Sequence, residues 1–117
     1  MKIYHDGGHG VTETSKTHFK TYSKGVVPTE VNVRATGTFT FEFLGTRSDG
    51  ETILILESGF NCGYRGEGPH GTLWALERVG LSRDEIAEII FTHNFFAVDF
   101  TYDTPRITTS LADAMML

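Results

Sequence analysis

Phe39, Phe41 and Phe43 alternate with Thr38, Thr40 and Glu42. A side-chain period of two fits a β-strand with one buried face and little else. Ser48-Asp49-Gly50 follows as a turn, since Asp-Gly accepts the positive φ that tight hairpins demand. Ile53-Leu54-Ile55-Leu56 is apolar on both faces, as a strand inside a sheet is. Residues 37–57 therefore read as a β-hairpin, and some other layer must cover its phenylalanine face.

The remaining elements are arranged around that hairpin. Val26, Val27, Val31 and Val33 begin an earlier strand, whose start Pro28 confines to an edge. Phe96, Val98, Phe100 and Tyr102 share one side of a late strand, with Asp99 and Thr101 on the other. Between them, Leu73, Leu76 and Val79 with Trp74 make a helical stripe that starts near Pro69 and ends at Gly80. Ser82 and Glu85 have capping-box spacing ahead of Ile86, Ile89 and Ile90, which predicts a second short helix. Strands followed by helices indicate an α+β fold: an antiparallel sheet of about four strands with two short helices packed on one face.

The 117 residues make one domain, 1–117, with 39% hydrophobic and 21% charged positions, ordinary values for a globular protein. Residues 1–25 hold Lys2, Lys16, Lys20 and Lys24 against Asp6 and Glu13. They read as a polar arm, either flexible or in contact with another subunit. The apolar run from Leu111 to Leu117 is a second candidate subunit contact, so a homo-oligomer is one expectation. A net charge of −5 argues against nonspecific nucleic-acid binding. One cysteine excludes an internal disulfide, and no apolar run is long enough to cross a bilayer, so a cytoplasmic protein without a membrane partner is expected.

Residues 58–72 carry the chemistry worth testing. Five of the thirteen glycines lie here: Gly59, Gly63, Gly66, Gly68 and Gly71. Dense glycine between a buried strand and a helix start suits an anion site, because the free amides and the helix dipole point outward there. The expected ligand-binding set is Asn61, Gly63, Tyr64, Arg65, Gly66, Gly68, His70, Gly71 and Thr72. Arg65 would clamp the anion, Tyr64 would offer a stacking face and Thr72 a hydroxyl. The spacing matches neither GxxxxGK[ST] nor GxGxxG. The competing reading is a glycine loop that only turns the chain around Trp74.

Cys62 and His70 form a weaker catalytic pair, since an imidazole or a helix start can generate a thiolate. His5 and His9 have His-x-x-x-His spacing, but two glycines lie between them, which makes a poor metal site, and no metal or other cofactor is expected. Glu57, Glu67 and Asp99 are the carboxylates expected nearest the loop. The leading expectation is a small non-catalytic domain that binds an anionic or nucleotide-like ligand at residues 59–72, as a sensor or a sequestering protein. The alternatives are a Cys/His-dependent hydrolase or transferase, and a protein-interaction module with a purely structural loop.

Overall fold

A computed structural model of the protein describes residues 1–110, so the Leu111–Leu117 run lies outside the described residues. The order of elements is β1 (Lys2–His5), α1 (Thr12–Tyr22), β2 (Val26–Arg34), β3 (Phe41–Arg47), β4 (Thr52–Glu57), α2 (Glu67–Arg78), α3 (Arg83–Thr92), β5 (Phe95–Asp99) and β6 (Arg106–Thr108). The strands form one sheet in the order β1-β4-β3-β2-β5-β6. The class is α+β, as the strand and helix runs imply. Among the described residues, however, the sheet has six strands rather than about four, and it is mixed rather than antiparallel, because β1 joins β4 in parallel. Among the described residues there are three helices rather than two.

The differences arise mainly in residues 1–25, which form β1 and α1. The first helix has no apolar stripe to reveal it: Thr12, Thr14, Thr17 and Thr21 are poor helix formers, and only Phe19, Thr12 and Ser15 are buried. Phe19 carries the anchoring. Its ring meets Phe41, Phe43, Phe60 and Trp74 at centroid distances of 5.3–6.5 Å, at steep angles. Each such pair adds about 1 kcal/mol beyond the area it buries.

Register explains the core. Tyr4, Ile55, Phe43, Val31, Val98 and Ile107 form one row straight across the sheet. Glu57, Phe41, Val33 and Phe96 form the next, also on the face that meets the helices. Ile53, Ile55 and Glu57 therefore point the same way, and a carboxyl group ends up among phenylalanines. Phe39 falls short of β3 and lies against the His5 ring instead. Strand β5 stops at Asp99 rather than Tyr102; Phe100 N–H bonds the Thr29 carbonyl at 2.9 Å and the chain then turns toward β6. Half of the expected capping box is present: Glu85 N–H donates to Ser82 Oγ at 3.3 Å, but the Glu85 carboxylate accepts from the Ser82 hydroxyl at 3.0 Å instead of from its amide. No helix among the described residues is long and apolar enough to cross a membrane.

Candidate functional site

The parallel pairing of β1 with β4 brings two similar units side by side. Strand β1 leads through Gly7, Gly8 and Gly10 into α1, and β4 leads through the 58–66 loop into α2. Both loops leave the carboxyl ends of neighbouring parallel strands, the edge where open α/β sheets hold their ligands. All three glycines of the first loop have positive φ, which lets six residues carry the chain from β1 back to the start of α1.

Between the loops lies a cleft of about 350 Å³, lined by Gly10, Val11, Thr12, Ser58, Gly59, Asn61, Tyr64, Glu67 and Gly68. Neither helix start that borders it has a side-chain cap. The first amides of α1, from Thr12 on, and those of Glu67 and Gly68 in α2 have no partner within their helices. Asn61 Oδ1 is buried without a hydrogen-bond partner among the described residues. Tyr64 stands at the rim with about half its surface exposed. The lining contains no lysine or arginine.

A partly buried polar knot holds the two loops together. Asp6 Oδ2 accepts from Ser15 Oγ at 2.5 Å and from Ser58 N–H at 2.9 Å, while Oδ1 accepts from Gly8 N–H at 3.0 Å. Ser58 Oγ donates to the same carboxylate and accepts from Gly10 N–H at 2.9 Å. Ser15 Oγ accepts from Gly59 N–H at 2.8 Å, and Thr12 Oγ1 donates to the Gly59 carbonyl at 2.9 Å. Burial works to raise the Asp6 pKa, but these donors outweigh it and hold the carboxyl below its ordinary 3.8. At Gly59 a Cβ would sit 2.6 Å from Ser15 Oγ and from the Val11 carbonyl oxygen, so only glycine lets the second loop approach the start of α1 this closely.

Beside the knot, His18 Nδ1 meets Glu57 Oε1 in a short contact. Glu57 is fully buried; burial, reinforced by the Asp6 charge, raises its pKa from 4.5 to about 9. His18 is lowered from 6.5, mainly by burial. Both groups are therefore neutral at pH 7, and the contact is a hydrogen bond from a carboxylic acid to an imidazole rather than an ion pair. The second oxygen of Glu57 has no partner among the described residues, which a carboxylic acid tolerates and a carboxylate does not.

Of the nine expected ligand-binding residues, Asn61, Tyr64 and Gly68 line the cleft. The others lie elsewhere. Arg65 turns outward, 3.4 Å from Glu88 and over the Phe91 ring at 4.9 Å. Thr72 is buried, its hydroxyl donating to the Asn61 carbonyl at 2.6 Å. His70 N–H bonds the Gly66 carbonyl, and His70 Nδ1 lies 2.7 Å from the same oxygen. Because α2 starts at Glu67, Pro69 takes its third position rather than its first, and the open amides are those of Glu67 and Gly68 instead of His70, Gly71 and Thr72. Gly63 turns the chain with φ +97° and bonds the Ile90 carbonyl, Gly66 packs under the Tyr64 ring, and Gly71 is pressed against Thr12 and Phe60.

Cys62 is fully buried, burial pushes its thiol up to about 11, and no hydrogen bond joins it to His70. It is not a thiolate at neutral pH. Asp99 lies across the sheet between Glu30 and Arg106, away from the cleft. Sequence reasoning missed the first loop, Thr12, Ser15 and Ser58; the signal was a second strand, glycine-loop and helix unit at residues 2–22. Comparison with known protein families, with curated proteins and with solved structures gives no match.

Proposed function

We propose that this chain is a small-ligand-binding domain without catalysis, and that the cleft between its two glycine loops takes a nucleotide-like molecule. The observation that carries this reading is the convergence of two uncapped helix starts, from adjacent parallel strands, on one cleft. Each helix start contributes about half a positive charge. Glu67 in the lining and Asp6 just behind it oppose them, and no cationic side chain adds to them. The helix starts together supply about one positive charge against these two carboxylates, so the balance disfavours a multiply charged ligand. Asn61 Oδ1 asks for a donor, such as a base N–H, and Tyr64 offers its face to a planar ring.

Such a domain acts by holding its ligand, as a sensor or a sequestering protein does. Native mass spectrometry of the purified protein, followed by a thermal-shift screen of nucleosides, cyclic nucleotides and sugar phosphates, tests the reading. It expects a co-purified mass or a stabilising compound whose effect Asn61→Ala removes. If every stabilising compound acts equally on the Asn61→Ala variant, the cleft is not the site.

A further inference from the structure

The opposite ends of α1 and α2 converge on a second concavity, of about 720 Å³, lined among others by Lys20, Lys24, Val26, Pro28, Arg78 and Val79. Lys20 and Arg78 lie in the last turns of their helices, where each complements a helix dipole. Lys24 lies beyond the end of α1 and has no such role. None of the three pairs with a carboxylate among the described residues. Glu77, next to Arg78 in sequence, is engaged by Arg83 at 3.0 Å. The Arg78 guanidinium lies over the Trp74 ring, 4.9 Å from its centroid.

Three cations share one groove on a chain of net charge −5. The two helix ends offset about one unit of that charge, which leaves about two positive charges unmatched. We infer that this groove binds a small molecule carrying two or more phosphate groups. Its volume is that of a small-ligand site, and Val26, Pro28 and Val79 give it an apolar floor on which a nucleoside can rest. The inference is independent of the glycine-loop cleft, which lies at the other ends of the same helices.

The test is a titration of ¹⁵N-labelled protein with sodium tripolyphosphate and, separately, with ATP. Amide shifts are expected at Lys20, Lys24, Gly25, Arg78 and Gly80, with affinity that falls as salt is raised. The Lys20→Gln/Lys24→Gln double variant leaves the Trp74 contact intact. It should weaken binding about tenfold or more through loss of charge-assisted hydrogen bonds, while the melting temperature falls by no more than about 5 °C, the cost of the Lys20 charge at the end of α1. Tighter binding of ATP than of tripolyphosphate at these amides supports a role for the apolar floor. Shifts confined to other residues, or an affinity the double variant does not change, overturn the inference. Tighter binding of a decaglutamate peptide at the same amides also overturns it, in favour of an acidic protein partner.

Discussion

Glu57 should make the protein less stable as the pH rises through neutrality. Its pKa is about 9 in the fold against 4.5 for an ordinary glutamate, so between those values the folded chain holds a proton that the unfolded chain releases. The Glu57 contribution to stability is then full below pH 4.5 and is lost as pH rises toward 9, at about 1.4 kcal/mol per pH unit. Asp6 and His18 are both lowered, below 3.8 and 6.5, so they cost stability only on acidification. Cys62, raised from 9 to about 11, contributes only at more alkaline pH. From about pH 6.5 to about pH 8.5 Glu57 dominates, and the loss should be about 3 kcal/mol. Glu57→Gln keeps a donor for His18 Nδ1 and removes the titration. After about 1 kcal/mol for the buried amide oxygen, it should stabilise the protein by about 2 kcal/mol at pH 7. That corresponds to a rise in melting temperature on the order of 10 °C. Urea unfolding of both proteins at several pH values measures the slopes. A variant less stable than its parent at pH 7, with a flat parental profile, would mean that Glu57 is ionised and paired with a charged His18, and the reasoning would fail.

Other consequences are simpler to read. Gly68→Ala would place a Cβ 2.1 Å from Asn61 Oδ1, so it should cost about 1–3 kcal/mol in urea unfolding and move the Asn61 amide resonances. Asp6→Ala strands the donors of Ser15, Ser58 and Gly8, and should cost about 3 kcal/mol or more, with faster amide exchange in both glycine loops. Cys62 should resist a thiol reagent such as dithionitrobenzoate in the folded protein and react at once in guanidinium. Arg65→Ala removes only an exposed pair with Glu88 and the contact with Phe91, so its stability should fall by less than about 1 kcal/mol and its ligand response should be unchanged.

The strongly patterned parts of the chain were legible. Phe41 and Phe43, the Asp49-Gly50 turn and Ile53 to Leu56 carry their own periodicity, and Ser82 with Glu85 carries its own cap, so β3, β4 and α3 follow from local physics. Strand β1 and helix α1 do not. Their stability comes from a parallel pairing with β4 and from Phe19 entering a distant aromatic cluster, neither of which leaves a local mark. The candidate site followed the same division. The 58–68 loop was visible as a glycine run, but its neighbour depended on that parallel pairing and stayed hidden. The buried carboxyl of Glu57 was readable in part: counting by twos from Ile53 through Ile55 puts it on the core face. Arg65 shows the opposite limit, since a cation one residue from a cleft-lining tyrosine can still face solvent.

The central claim is that two glycine loops from parallel strands form one ligand cleft. Amide shift mapping of ¹⁵N-labelled protein against nucleosides, mononucleotides and cyclic nucleotides tests it most directly. The account predicts that a binding compound moves Thr12, Glu13, Asn61, Glu67 and Gly68 together, residues from both units, and that Gly68→Ala abolishes the response. Compounds that move residues of neither loop, or no response from any compound at millimolar concentration, would contradict it.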